Sequence, residues 1–220
     1  MPRPLLLILN PRQIPECIAA FESLPIDKVW LENYTELELV DVIPRVLAEC
    51  EHDPIGVVSD DAAPDAAALA AVLEIVQPGI VATGYCTLDE QSTLVNLSRE
   101  PLTTDAPLVE AYTFPDLAWV EAYPTDQMPT YFAGHSLTFM SRDHWVAYPW
   151  ACHGEPPGCA SDLSLSWRLQ QDGVPIIAAR GGYFRHVKAT FNYLDDTPGR
   201  ELLIGKEPSG VRWDMQSDAA

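Results

Sequence analysis

Three short apolar runs near the start of the chain, each followed by a stretch with helical spacing, restrict its fold more than any other feature. Leu5–Leu9 is continuously apolar and is broken by Asn10-Pro11-Arg12; Lys28–Leu31, apolar after its lysine, reads as a second short strand, ending at Glu32-Asn33; Ile55–Val58 is a third. Uninterrupted runs of this length fit strands buried on both faces. Between the first two, Pro15 can open a helix to about Leu24, with Ile18, Phe21 and Leu24 on one face. A second helical stretch reaches about Cys50, interrupted or restarted at Pro44. After the third run, Pro64 opens a helix to Gln77 with Leu69, Val72, Leu73 and Val76 as its stripe. Strand and helix in alternation predict an α/β protein with a parallel sheet and right-handed crossovers.

Pro78–Thr83 reads as a further strand. From Thr87 to Thr130 short apolar pieces alternate with Pro, Asp and Thr, which predicts short strands and loops in an antiparallel insertion. Tyr131–Met140 is apolar around Gly134-His135-Ser136, and Arg142–Tyr148 reads as a short helix. Ala151–Cys159 is a loop rich in Gly and Pro. Ser161 can cap a helix that ends at Gly173. Pro175–Ala178 and Tyr183–Val187 are strand-like and separated by Gly181-Gly182; the chain after Lys188 is a polar tail.

The third run ends in Ser59-Asp60-Asp61, so two carboxylates stand on the turn at the carboxyl end of a strand, where open α/β sheets bind ligands. Carboxylates there can hold a hard divalent cation that in turn holds phosphates. The same pair also suits the N-terminus of the following helix, whose dipole favours negative charge. Asp162 in the first turn of the Ser161–Gly173 helix has the same two readings, and His186 at the end of a late strand is either a site residue or a half-buried histidine.

The 220 residues suffice for one substantial domain, and the formal charge of −19 gives no overall attraction to duplex DNA or to anionic membranes, although most of the cations follow Met140. Five scattered cysteines include no CxxC, and Cys152-His153 with Cys159 lies far from known metal-ligand spacings. The Leu5–Leu9 run is too short for a signal peptide and no run approaches a membrane span, so a cytoplasmic protein is expected.

Several pieces together resemble glycosyltransferases of the GT-A fold, in particular the large inverting family that includes many bacterial and phage sugar transferases. Val58-Ser59-Asp60-Asp61 resembles the family's DxD-type motif, with Ser59 in place of the usual first Asp or Asn. Gly134-His135-Ser136-Leu137-Thr138-Phe139-Met140-Ser141-Arg142 resembles its acceptor-side strand pair, which begins with Gly and ends with Arg. Ser161-Asp162-Leu163-Ser164-Leu165-Ser166-Trp167-Arg168-Leu169 resembles the E-D-x-D-L-x-x-R-L helix start, with Ser161 and Ser164 in place of two acids.

The resemblance implies a Rossmann-like mixed sheet in a single catalytic domain over residues 1–190. A nucleotide-sugar-binding half (1–85) would precede an acceptor-side catalytic half (86–190), with 191–220 as the tail. It implies Asp162 as the base that deprotonates an acceptor hydroxyl. Asp61 would be the main ligand of Mn²⁺ or Mg²⁺ and His186 a second. Arg12, Glu32 and Asp60 would contact the nucleotide-sugar donor; Arg180, Arg185 and Lys188 surround His186 in sequence and could neutralise the donor's diphosphate. The acceptor stays open: a glycan, a protein or a modified nucleobase. A nucleotide- or carbohydrate-binding protein without catalysis, and a nucleotidyltransferase, are the rival readings.

Overall fold

The computed structural model describes residues 2–10, 14–32, 39–88, 91–102, 113–150, 161–187 and 210–216. β1 (Leu5–Asn10), α1 (Pro15–Ser23), β2 (Asp27–Glu32), α2 (Leu39–Glu49) and β3 (Ile55–Val58) follow in the expected order. β1 pairs in parallel with both β2 and β3. Its successive side chains enter opposite cores. Leu5, Leu7 and Leu9 pack with Val42, Ile43 and Val46 of α2, while Leu6 and Ile8 pack with Cys17 and Phe21 of α1. Helices cover both faces, which is why the strand is apolar at every position. α2 continues through Pro44 instead of restarting there. Proline forfeits a helical hydrogen bond, and the burial of Val42, Ile43 and Val46 around it offsets that loss.

Beyond β3 come β4 (Ala62–Ala63), α3 (Ala66–Leu73), β5 (Val81–Tyr85), α4 (Leu117–Glu121), β6 (Gln127–Thr130) and β7 (Thr138–Met140). Then follow α5 (Arg142–Ala147), α6 (Ser161–Gln171), β8 (Ile176–Tyr183), β9 (Arg185–His186) and β10 (Gly210–Asp214). α3 starts two residues later than Pro64 predicts, because the Asp65 carboxylate caps it, accepting from the Ala68 N–H at 2.8 Å. Ser161 is the first helical residue of α6, and Gly173 ends that segment with φ +69°.

The main sheet runs β10-β2-β1-β3-β7-β5-β8-β6. β5 pairs in parallel with β8, whereas β7 is antiparallel to both β3 and β5. β6 and β10 add antiparallel edges to β8 and β2. The sheet is therefore mixed, and the architecture is α/β of a Rossmann-like kind rather than purely parallel. β7 fits between its neighbours because Gly56 leaves room for the Phe139 ring, which a Cβ there would approach to 2.5 Å.

Three expectations need correction. The 87–130 stretch does carry isolated antiparallel bridges, Thr87 to Val95 and Leu94 to Asp116, but it also holds the helix α4, and β6 belongs to the main sheet. Gly181 and Gly182 lie inside one strand, β8, instead of separating two. A Cβ at Gly182 would come within 3.0 Å of Val72, so the glycine lets α3 lie close against the strand. Part of the polar tail is ordered into the fold: Gly210–Asp214 pairs with β2, and the Gln216 N–H donates to Asp27 at 2.7 Å.

Candidate functional site

A cavity of about 270 Å³ opens near the carboxyl ends of β3 and β5, and Asp61, Asp162 and His186 all line it. Far apart in sequence, they are brought together by local devices. β4 and β9 form a two-stranded ribbon in which Ala62 faces His186, and the Val187 N–H donates to the Asp61 carbonyl at 2.7 Å. The ribbon sets His186 Nε2 at 3.2 Å from Asp61 Oδ2, with each side chain 13% exposed.

His186 Nδ1 lies 3.0 Å from the Thr87 carbonyl oxygen. A carbonyl only accepts, so Nδ1 donates to it, and Nε2 is the ring nitrogen that faces Asp61. An imidazole anchored this way is oriented as a metal ligand. The 3.2 Å separation also resembles the ~3 Å between adjacent ligands of an octahedral cation with bonds near ~2.1 Å. Asp61 and His186 could thus hold one such ion jointly. Among the described residues no group of three or more His, Cys, Asp or Glu forms a cage, so bound ligand and water would complete the sphere.

Asp162 reaches the cavity from the first turn of α6. Its carboxylate accepts the Leu163 N–H at 2.8 Å. One turn on, the buried Ser166 hydroxyl donates to the Asp162 carbonyl at 2.8 Å and accepts the Ala133 N–H at 3.0 Å, fastening the helix to the loop ahead of β7. That loop, Gly134–Leu137, is itself pinned. The Ser59 N–H donates to the His135 carbonyl at 3.0 Å, and Thr138 Oγ1 donates to the Gly134 carbonyl at 2.7 Å. Leu137 is fully buried with φ +59°, a left-handed conformation that non-glycine residues rarely adopt. Such strain persists only where the surroundings over-determine it, and it concentrates at functional sites. The turn presents His135 and Ser136 to the cavity, with the His135 ring 4.6 Å from that of Trp150.

Other expected site residues are placed elsewhere. Asp60 is 1% exposed and does not line the cavity. Glu32 sits at the carboxyl end of β2, away from the cavity wall, accepting from Asn10 Nδ2 at 2.9 Å with Arg212 at 3.4 Å. Arg185 pairs with Glu16 of α1, because adjacent residues of an extended strand point to opposite sides and His186 takes the cavity side. Arg180 donates to the Tyr123 carbonyl at 2.8 Å and lies 3.9 Å from Asp126. Its own carbonyl accepts from the Tyr85 hydroxyl at 2.8 Å, whose pKa burial pushes up to about 12. Arg142, which ends the Gly134 motif, donates to the Cys50 and Leu47 carbonyls near the end of α2. Arg12, Lys188 and residues 151–160, with Cys152, His153 and Cys159, lie outside the described residues.

Asn96 is a cavity residue that the sequence did not single out. Its Oδ1 accepts the Cys86 N–H at 2.8 Å, its main-chain N–H donates to the Cys86 carbonyl at 3.0 Å, and Nδ2 donates to Ser136 Oγ. One asparagine in an irregular segment carries no periodic or motif signal that would mark it. No protein-family model matches the chain, and no curated protein matches it. No helix among the described residues is long and apolar enough to cross a membrane.

Proposed function

We propose that this protein is a metal-dependent, inverting glycosyltransferase of the GT-A fold, moving a sugar from a nucleoside-diphosphate sugar to an acceptor hydroxyl. The observation that carries this reading is the convergence of Asp61, His186 and Asp162 on one cavity at the carboxyl ends of parallel strands. Ligands of open α/β sheets bind at that edge. Asp61 and His186 would hold Mn²⁺ or Mg²⁺, and the cation, when bound, neutralises charge on the departing diphosphate. Asp162 acts as the general base, taking the proton of the acceptor hydroxyl as it attacks the anomeric carbon. The Ser166 hydrogen bonds tie the main chain at Asp162 to the loop ahead of β7, which the Thr138 bond pins in turn, and a fixed backbone at the base is what its positioning requires. The acceptor class, whether glycan, protein or modified nucleobase, is left to experiment.

The test is incubation with a panel of uridine and guanosine diphosphate sugars, with Mn²⁺ and then with chelator. Mn²⁺-dependent release of free nucleoside diphosphate supports the reading. Release of pyrophosphate from a nucleoside triphosphate incubated with a sugar 1-phosphate, with no diphosphate released from the nucleotide sugars, makes the protein a nucleotidyltransferase, and binding without release makes it a binding protein.

A further inference from the structure

We propose that Asn96 is a positioning residue for sugar transfer: by holding Ser136 it fixes the turn at residues 134–137, and that turn sets the spacing between Asp61 and Asp162. This rests on the glycosyltransferase reading and goes beyond it by assigning a role to a residue outside the three that act on the ligands.

The turn stands between the two halves of the site. On one side the Ser59 N–H, just ahead of Asp60-Asp61, donates to the His135 carbonyl at 3.0 Å. On the other, the Ser166 hydroxyl accepts the Ala133 N–H at 3.0 Å and donates to the Asp162 carbonyl at 2.8 Å. A continuous path therefore runs from the Asp61 stretch, through residues 133–135, to the first turn of α6. In the proposed reaction Asp61 stands on the donor side and Asp162 takes the acceptor's proton. Movement of the turn is then movement of the base relative to the donor.

The turn has to be held. Leu137 keeps a φ of +59°, which a non-glycine residue sustains only when its neighbours over-determine it. Those neighbours are identifiable. The Gly84 N–H donates to the Leu137 carbonyl at 3.2 Å, and a Cβ on Gly84 would come within 3.0 Å of the Ser136 carbonyl oxygen, so glycine lets β5 approach the turn. Thr138 Oγ1 donates to the Gly134 carbonyl at 2.7 Å. These ties come from β5 and β7. Asn96 supplies one from outside the main sheet. The Cys86 N–H can only donate, so the Asn96 atom 2.8 Å from it is Oδ1, and Nδ2 is the end that donates to Ser136 Oγ. Asn96 is itself clamped, because its main-chain N–H donates to the Cys86 carbonyl at 3.0 Å. A side chain anchored at its base and at its oxygen does not follow the turn; it restrains it. The Asp61–His186 pair has separate supports, the β4–β9 ribbon and the Thr87 carbonyl, which bridges to Val95 through the main chain.

Two matched measurements in Mn²⁺ test this. One is calorimetry of UDP, GDP and their sugar conjugates; the other is the rate of diphosphate release from the conjugate that wild type cleaves. Asn96→Ala should slow release about tenfold or more, as a displacement of catalytic groups on the order of 1 Å can do. Affinity for the diphosphate and for the intact nucleotide sugar should stay within about twofold, the pattern of an interaction that matters only in the transition state. Ser136→Ala cuts the same tie from its other end and leaves the Asn96–Cys86 bonds in place. It should slow release by a similar factor, and it decides the question if Asn96→Ala folds poorly. The double variant should be within about twofold of the slower single variant, because both substitutions break one contact. Release near the wild-type rate in either folded single variant overturns the inference while the glycosyltransferase reading stands. So do losses that multiply in the double variant. So does a loss of nucleotide-sugar affinity as large as the loss of rate, which would make Ser136 a ligand contact. If wild type releases no diphosphate from any conjugate in Mn²⁺, the glycosyltransferase reading falls and the inference with it.

Discussion

At the amino end of the parallel strands, His52 Nε2 lies 2.8 Å from Asp27 Oδ2; at the carboxyl end, His186 Nε2 lies 3.2 Å from Asp61 Oδ2. The contacts are alike and their surroundings differ. Asp27 also accepts the Gln216 N–H at 2.7 Å and sits 3.4 Å from Arg3 Nε, with its side chain 2% exposed. Burial alone would raise its pKa, but the hydrogen bonds from His52 and Gln216 and the charges of Arg3 and His52 outweigh that and hold it below 3.8. This pair ties the starts of β1, β2 and β3 to the segment after β10. The other pair is braced from behind by the Thr87 carbonyl and opens on a cavity that Asp162 shares. An aspartate–histidine contact becomes a structural staple when the chain saturates the carboxylate. It becomes a candidate ligand set when the chain fixes the imidazole from its far side and leaves the pair facing a cavity.

The comparison can be broken hardest at Asp162. Asp162→Asn keeps the size of the side chain and should slow sugar transfer by about a hundredfold or more, the ordinary contribution of a general base. Mn²⁺-dependent diphosphate affinity should stay within about twofold. Transfer near the wild-type rate would remove Asp162 from the mechanism.

Asp27→Ala should act on stability and not on the site. Loss of charge-assisted hydrogen bonds to His52 and Gln216 should lower the unfolding free energy by about 2 kcal/mol, read from urea denaturation. The effect has a pH sign. The folded pKa of Asp27 is depressed, so its contribution is fully present above the unfolded value of 3.8 and is lost as pH falls through the folded value below it. The gap between wild type and variant should therefore close on acidification below that point. A constant gap down to strong acid would show that the carboxylate's charge is not what stabilises.

Asp61→Ala should do the reverse of Asp27→Ala. Mn²⁺-dependent nucleoside-diphosphate affinity should fall by about tenfold, a loss that even residues supporting a metal ligand produce. The variant should match wild type measured in chelator. The smallest effect is expected at Arg180 and Arg185, whose alanine variants should leave diphosphate affinity within about twofold because neither side chain reaches the cavity wall. A large loss in either would mean that the donor approaches from the β8–β9 side.

The legible parts of this chain are those whose signal is local. β1, α1, β2 and β3 could be read from apolar runs and from Pro15, because burial on both faces of a strand leaves a continuous signature. Asp61, Asp162 and His186 could be singled out because each stands at an element end, and the structure brings all of them to one cavity. Arg180 and Arg185 could not be placed, since proximity in sequence to His186 says nothing about which side of a strand a residue leaves from. Asn96 was invisible because its role is set by a main-chain partner at Cys86 and a side chain at Ser136, both distant or irregular in sequence. β10 was missed as a sheet member for a related reason, and β7 was expected only through the resemblance of Gly134–Arg142 to a strand pair. Antiparallel strands that return to a parallel sheet from far along the chain leave no trace in the alternation that reveals the others.

The position of β7 also sets an order of assembly. Thr138–Met140 lies between β3 and β5 and is the strand through which β2, β1 and β3 connect to β5 and β8. As the chain is synthesised, β1, β2, β3 and β5 all emerge well before the strand that bridges them. Until residue 140 is available, the facing edges of β3 and β5 stay unpaired, and the closing contacts span a long stretch of chain. Late, non-local closure of this kind slows folding and leaves strand edges open to wrong partners in the meantime. Residues 1–85 thus carry β1, β2, β3 and β5 but not the strand that joins β3 to β5, so the sheet cannot close until residues 138–140 have been made.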